Sequence, residues 1–402
     1  LKLSCRCRTC RFAMPAKFDR KLSAASVGEE VTDLADEETP TPVPKEKKPR
    51  KSTAKRPSAQ KRGKEAKEVK EAKEAKEAEA EAEAEAPKAK KAKKAKEGPY
   101  TCHKEQGSIP EPKLERRGED VPEGKKPLNV MAWNVGSLRA FLKTRISDLQ
   151  EAVKQGAPHL LGLIEHKLQE NGNDTESILE ELSKALPDYE VACVNYSTAK
   201  KGYSGTLVML HKEAPKPVKI SAEDLPSAAA EGRLVVTEFD SLYVVLCYVP
   251  NSGDGLKRLS ERVEKWDPQL RARLAELAKD KGVVLIGDLN CAHQDKDIWN
   301  CEAPHVPKSA GMTPEERNSF SSLLESGFKD GFCIFHPEAM GAFTYWSIRA
   351  GNRKSNRGLR LDYVLVSSGM ADAEEGPLLW DAFHLPSVAT GDHCPVGAVL
   401  AV

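Results

Sequence analysis

Residues 283–290 read VVLIGDLN: four aliphatic residues, a glycine that ends the run, and then two hydrogen-bonding side chains, Asp288 and Asn290. A short apolar run closed by Gly or Asn is the mark of a buried strand. The same texture recurs on both sides. Runs near Leu128–Trp133, His159–Ile164, Glu190–Val194, Gly205–His211, Arg233–Phe239, Leu242–Val249, Ala342–Trp346, Leu361–Ser367 and Gly397–Val402 read as further strands. Amphipathic helices are expected between them, near Ser137–Gln155, Thr175–Ala185, Lys257–Lys281 and Thr313–Glu325. So many strands with only some helices between them suit a sandwich of two sheets with helices outside, built as one large domain over residues 128–402.

The polar residues fall at the ends of these runs. Asn134 follows the first and Glu165 the second; Tyr248 and Asn251 close the run that ends in Val249; Asp288 and Asn290 follow Ile286. Asp362 lies within Leu361–Val366, and Asp392 and His393 precede the last strand. Any one of these taken alone is more often a turn cap or another structural residue. Together they form the inventory for phosphodiester cleavage, which needs a divalent cation on phosphate oxygens, a group that orients water, and a proton donor or cation for the developing charge. Glu165 and Asp392 are hard oxygen ligands suited to Mg²⁺. Asp288 with Asn290 suits the attacking water, and Asp362 would fix the tautomer of His393 and raise its pKa.

Composition separates the chain into two parts. Of 402 residues, 62 are Lys or Arg and 61 Asp or Glu, a net charge of +1. Residues 1–127 carry +9 of this and residues 128–402 carry −8. The first part is poor in large apolar residues and is expected to be a disordered extension. Within it, Glu65–Glu97 has helix-forming composition without an apolar stripe. The basic clusters Lys45–Lys64 and Lys88–Lys96 read as a nuclear-import signal, a phosphate-binding arm, or the solvating charge of an unfolded linker. The first seventeen residues are basic without an acidic residue, so an organellar address is the alternative, and the stretch before Met14 reads as part of a targeting segment or as translated upstream sequence. Cys5, Cys7 and Cys10 lack a nearby fourth metal ligand. Scattered Cys in apolar runs argue against a disulfide scaffold, and no apolar stretch reaches the length of a membrane span. An acidic domain must meet a polyanion through a local basic lip, for which Arg349, Arg353, Lys354, Arg357 and Arg360 are the densest group.

Nine motifs run in order through the whole domain: WNVGSLRA (Trp133–Ala140), LIEHK (Leu163–Lys167), GYSG (Gly202–Gly205), YVPNSG (Tyr248–Gly253), GDLNCAH (Gly287–His293), MTPEER (Met312–Arg317), FTYWS (Phe343–Ser347), NRGLRLDYVLVS (Asn356–Ser367) and GDHCPV (Gly391–Val396). Together they resemble the exonuclease III family of apurinic/apyrimidinic (AP) endonucleases, within the DNase I-like endonuclease/exonuclease/phosphatase superfamily. GDLN and GDHCPV specify the superfamily; MTPEER, FTYW and NRGLRLDY point to the AP endonuclease branch.

The resemblance implies a four-layer α/β sandwich of two packed mixed β-sheets flanked by helices. It implies Mg²⁺-dependent hydrolysis, with Mn²⁺ as substitute, of the phosphodiester 5′ to an abasic site in duplex DNA, leaving a 3′-hydroxyl, with 3′-end exonuclease or phosphodiesterase activity beside it. Asp288 would activate water; Asn290 would hold it; Asp362 and His393 would bind and polarise the phosphate. Glu165 would be the principal metal ligand and Asp392 would lie near it, with Asn134, Asp288 and Asn290 adding oxygen donors. Tyr248, Asn134 and Asn251 would contact phosphate oxygens. Tyr345, Leu359 and Leu361 would form the apolar pocket for the extruded baseless sugar, with Trp346 as core beside it. Three departures stand out: Gly136 replaces an Asp or Asn, Ile164 and His166 replace the Gln and Thr that flank the metal-binding Glu, and Asp254 replaces a basic residue. They imply an active but more metal-demanding enzyme. It is expected to be a monomer without membrane attachment, whose tail contacts DNA or import and repair proteins. The competing readings are another nuclease or phosphatase of the superfamily and a weakly active or non-catalytic DNA-binding protein.

Overall fold

The structure, a computed structural model, describes residues 110–118 and 120–402. The Cys5–Cys10 group, both basic clusters and the Glu65–Glu97 segment lie outside the described residues. The strands are β1 (Pro127–Asn134), β2 (Leu160–Ile164), β3 (Tyr189–Asn195), β4 (Thr206–His211), β5 (Lys219–Glu223), β6 (Leu234–Glu238), β7 (Leu242–Tyr248), β8 (Gly282–Asp288), β9 (Phe328–Asp330), β10 (Asp362–Ser367), β11 (Leu378–His384) and β12 (Val396–Ala401). The long helices are α1 (Leu138–Gly156), α2 (Thr175–Ala185), α3 (Asp267–Leu277) and α4 (Pro314–Glu325). Two six-stranded mixed sheets result, ordered β11-β12-β1-β2-β4-β3 and β5-β6-β7-β8-β10-β9.

Alternation along the strands builds the four layers. In β1, Val130 and Ala132 join the apolar layer between the sheets with Leu160, Leu246, Ile286 and Val364. Their neighbours Met131 and Trp133 face outward and pack beneath Phe141 and Leu149 of α1 and Leu182 of α2. On the other side, Val283 and Leu285 of β8 pack under Leu270 and Leu274 of α3 and Phe320 of α4. Each such fully buried side chain stabilises the fold by about 1.5–3 kcal/mol. The sheets approach closely at Gly162, where an added Cβ would collide with the Leu246 side chain.

Topology gathers strand ends at one edge. β1 runs parallel to β2, and β7 parallel to β8, so Asn134, Glu165, Tyr248 and Asp288 all sit at or just beyond C-terminal strand ends. β10 is antiparallel to β8 and starts where β8 stops, with Asp362 in register with Asp288. β12 is antiparallel to β1, which brings the preceding Asp392 and His393 to the same edge.

Several elements differ from expectation. Ala342–Trp346 is not a strand; Tyr345 forms isolated bridges with Leu359 and His393, because the backbone groups of the segment pair with Leu359 on one side and with Asp392 and Cys394 on the other, not with a strand of either sheet. β5, β9 and β11 were not anticipated. The expected helix at 257–281 begins as a π-helical turn, Glu261–Trp266, before α3. Packing onto the domain also begins before residue 128: Arg116 pairs with the buried Asp381 at 3.2 Å and lies over the Phe383 ring at 3.6 Å. In α4, the TPEE of MTPEER is a capping box, with Thr313 Oγ1 accepting from Glu316 N–H and the Glu316 carboxylate accepting from Thr313 N–H.

Candidate active site

Asp288 closes β8 almost fully buried. Its Oδ2 accepts from Asn134 Nδ2 at 2.9 Å and its Oδ1 from the Asn290 backbone N–H at 2.9 Å. Asn134 is itself fixed, because its Oδ1 accepts from Gly136 N–H at 2.9 Å. Asn290 takes a left-handed conformation (φ 48°), which Asn tolerates better than most residues. Its Nδ2 donates to Val249 O, and its Oδ1 accepts from Asn251 Nδ2, both at 2.9 Å.

Across from Asp288, His393 donates from Nδ1 to Asp362 Oδ2 at 2.8 Å. Thr344 Oγ1 accepts from the backbone N–H groups of Leu361 and Asp362 and so holds the start of β10. His393 Nε2 lies 3.9 Å from Asp288 Oδ2. The ligand atoms of Asp288, Asp362 and His393 lie within 4.8 Å of one another. Burial, and then the neighbouring Asp362 carboxylate, push Asp288 up to about 7, against the lowering effect of His393 and its hydrogen bonds. For His393, burial alone would lower the pKa, but Asp362 and Asp288 outweigh it and push it up to about 10. The imidazolium is therefore charged at neutral pH, while Asp288 stands near its titration point. Tyr248 stays a neutral phenol, because burial and the nearby Glu165 raise it far above 10.

Glu165 and Asp392 stand outside this trio. Glu165 has φ 61°, an uncommon backbone for a residue of its type, held by its N–H donating to Gly205 O at 2.8 Å. Its carboxylate pairs with Lys167 at 2.9 Å. The two departures beside it point elsewhere: Ile164 fills the layer between the sheets, and His166 is buried with Nε2 on Asn195 O and Nδ1 on Leu168 N–H. Among the described residues, the ligand atoms near enough to one another to hold a single cation are those of Asp288, Asp362 and His393; Glu165, expected as the principal ligand, lies outside that group and is engaged by Lys167. Carboxylate oxygens suit a hard divalent cation, and such an ion would offset the Asp362 charge that, after burial, raises Asp288.

An apolar cluster adjoins the trio. Leu361 packs with Ala292, Ile298 and Val306, and Tyr345 and Leu359 lie against them. The Tyr345 ring centroid is 4.9 Å from that of His393. Trp346 is core, as expected, with Nε1 donating to Asn356 Oδ1.

The basic lip needs correction. Arg360 does not face outward: it is 2 % exposed, forks onto both Asp297 oxygens at 2.8 and 3.1 Å, and reaches Asp330 at 2.7 Å. Two internal carboxylates match its planar guanidinium, so it braces the domain and is not a substrate-binding residue. Arg353 is also committed, lying over Trp346 at 4.1 Å and donating to Gly391 O. Arg349, Lys354 and Arg357 remain exposed, Arg357 over the Trp299 ring at 4.7 Å. Asp254 is exposed on the turn after Asn251. Sequence reading missed Thr344, although it lies inside FTYWS, and Arg233, which lies under the Tyr248 ring at 4.6 Å and donates to Tyr248 O.

Residues 131–393 match the profile of the Endonuclease/Exonuclease/phosphatase family. The chain is 34% identical over 294 residues to a DNA-(apurinic or apyrimidinic site) endonuclease of Dictyostelium discoideum, covering 73% of each protein. It is 36% identical over 275 residues to an exodeoxyribonuclease of Bacillus subtilis, covering 68% of this chain and 100% of the relative. Its fold resembles the crystal structure of an AP endonuclease from Leishmania major, with TM-score 0.62 and 29% identity over 74% of this chain and 94% of the other.

Proposed function

The chain belongs to the endonuclease/exonuclease/phosphatase family, and from that premise we propose that it is an AP endonuclease of DNA repair, cutting the phosphodiester on the 5′ side of an abasic site in duplex DNA and leaving a 3′-hydroxyl. The observation that carries this reading is the charged His393–Asp362 pair facing Asp288 across 3.9 Å, with the apolar Tyr345–Leu359–Leu361 cluster beside it.

Chemistry follows from the protonation states. The His393 imidazolium binds a phosphate oxygen and stabilises the charge that develops on it. Asp288, near its titration point and oriented by Asn134 and Asn290, takes the proton of the attacking water as the water oxygen bonds to phosphorus and the bond to the 3′ oxygen breaks, and the departing 3′ oxygen takes a proton from solvent to become the 3′-hydroxyl. Tyr248, Asn134 and Asn251 supply donors to the phosphate. Mg²⁺, held by Glu165 with Asp392, Asn134, Asp288 and Asn290 as further oxygen donors, would supply Lewis-acid stabilisation of the phosphate. The apolar cluster selects a sugar without a base, which also costs little to unstack. The same residues would act on a 3′ end, a second activity favoured by the relative named exodeoxyribonuclease. We assign the protein to a monomer in the nucleus, on the Lys45–Lys64 cluster, with the extension contacting DNA or other proteins.

A duplex carrying a tetrahydrofuran abasic analogue, an intact duplex and an inositol phosphate are each incubated with the protein, with Mg²⁺ or EDTA. Metal-dependent incision of the first alone is expected. Preference for either other substrate would overturn the assignment.

A further inference from the structure

Arg262 and Glu316 form an ion pair at 2.9 Å, with 3 % and 1 % exposure. Arg262 comes from the π-helical turn, closed by Asp267 N–H donating to Arg262 O, a rare winding often found at functional positions. Its guanidinium does more than meet one carboxylate. Nη1 also donates to Asn290 O at 2.6 Å, and Nη2 donates to Leu289 O at 2.7 Å. These are successive carbonyls of the chain as it leaves β8, made to converge on one group by the left-handed Asn290.

Glu316 uses both oxygens. Oε1 accepts from Arg262 and from the Ser252 hydroxyl, next in sequence to Asn251. Oε2 accepts from the hydroxyl and N–H of Thr313 in the capping box. One carboxylate in MTPEER therefore ties together the start of α4, the loop carrying Asn251 and, through Arg262, the loop carrying Asn290.

We infer that the Arg262–Glu316 pair is a positioning device for the active site: it fixes the backbone of Leu289 and Asn290 and, through Ser252, the loop of Asn251. The inference rests on the proposed hydrolysis. Asn290 meets Asp288 through its backbone N–H and Asn251 through its side chain, so both contacts depend on the Asn290 backbone being held. A flat, forked guanidinium can hold two carbonyls and a carboxylate in one plane, which a lysine ammonium cannot reproduce.

Two variants of the full chain test this. Arg262→Met with Glu316→Gln removes both charges of the pair together, while Asp267, 3.9 Å from Arg262, keeps its hydrogen bond from the Ser319 hydroxyl. Arg262→Lys keeps the charge and loses the fork. Each is assayed for kcat and KM on the tetrahydrofuran duplex with Mg²⁺, and for amide hydrogen exchange over residues 289–292 against residues 283–287. In the double variant kcat is expected to fall about 100-fold, with KM within about threefold, and residues 289–292 are expected to exchange faster while 283–287 do not. Arg262→Lys should fall between. A folded variant that keeps its kcat, or one whose rate falls with exchange unchanged, overturns the inference. Should the double variant fail to fold, Arg262→Lys decides by the same two measurements. Absence of incision by the parent protein defeats the functional reading instead, and the exchange measurement then decides the clamp alone.

Discussion

Nε2 of His393 stands 3.9 Å from Oδ2 of Asp288, beyond hydrogen-bond reach and near enough for one bridging oxygen to touch both. The two groups lie on opposite sides of the gap, a cation paired to Asp362 and a carboxylate pinned by two asparagines. Asp288→Asn and His393→Asn are each expected to lower kcat by about 10²–10⁴-fold; affinity for the tetrahydrofuran duplex in EDTA should stay close to that of the parent in Asp288→Asn and weaken in His393→Asn, which loses a cation from the phosphate. A near-parental rate in either variant would refute its assigned role.

The pH dependence has a defined sense. Asp288 must be ionised to take a proton, so activity rises with pH through its titration, at about 7 or lower once a cation offsets the neighbouring charge. His393 must be charged, so activity holds until pH approaches about 10. A broad plateau between these limits is expected in kcat against pH. A rate that falls between pH 7 and 8 would show that His393 is not held charged.

Gly136 sits at φ 65°, and nothing lies within 4 Å of an added Cβ. Asp tolerates that backbone better than most residues, and the position follows Asn134 by two. Gly136→Asp is therefore expected to fold and to lower the Mg²⁺ concentration for half-maximal activity by several-fold, about 1 kcal/mol. An unchanged metal titration would show that the site has compensated for the glycine.

Stability should carry the imprint of His166. Burial, against two backbone hydrogen bonds, lowers its pKa from 6.5 to about 4. The folded state therefore resists a proton that the unfolded chain accepts. This contribution is complete above about pH 6.5 and is lost as pH falls toward 4. His166→Gln should flatten the acid decline in unfolding free energy by about 3 kcal/mol over that window, as read by urea titrations. Parallel declines in parent and variant would contradict it.

Two deletions test the extension. Deleting residues 1–109 should flatten the salt dependence of DNA binding and leave the single-turnover rate unchanged. Extending the deletion to residue 125 removes Arg116 from the buried Asp381 and is expected to lower the melting temperature as well. A shorter deletion with parental salt dependence would show that the extension does not meet DNA.

What could be read from sequence follows the range of the interactions. Asn134, Glu165, Tyr248 and Asp288 were visible because each ends an apolar run, and parallel pairing of those runs brings such ends together. His393 followed from the same logic, just before the last apolar run, and Asp362 stood out as a carboxylate inside one; antiparallel pairing puts both at the same edge. Arg360 was misread because nothing local distinguishes an arginine facing solvent from one facing Asp297, 63 residues away. Arg262 was invisible for the same reason, its carboxylate partner lying 54 residues further on. The aromatic run at 342–346 has strand composition, but its backbone bridges Leu359 and His393 instead of continuing a sheet.

The most direct measurement is end-group analysis of a single incision. A 5′-labelled duplex with one tetrahydrofuran residue is cut with and without Mg²⁺, and the labelled product is offered to a DNA polymerase. The expected product is a single fragment ending at the nucleotide before the analogue, formed only with the cation and extended without further processing because it carries a 3′-hydroxyl. A fragment that retains the analogue, a 3′ end that cannot be extended, or equal cleavage in EDTA would contradict 5′-side, metal-dependent hydrolysis at Asp288 and His393.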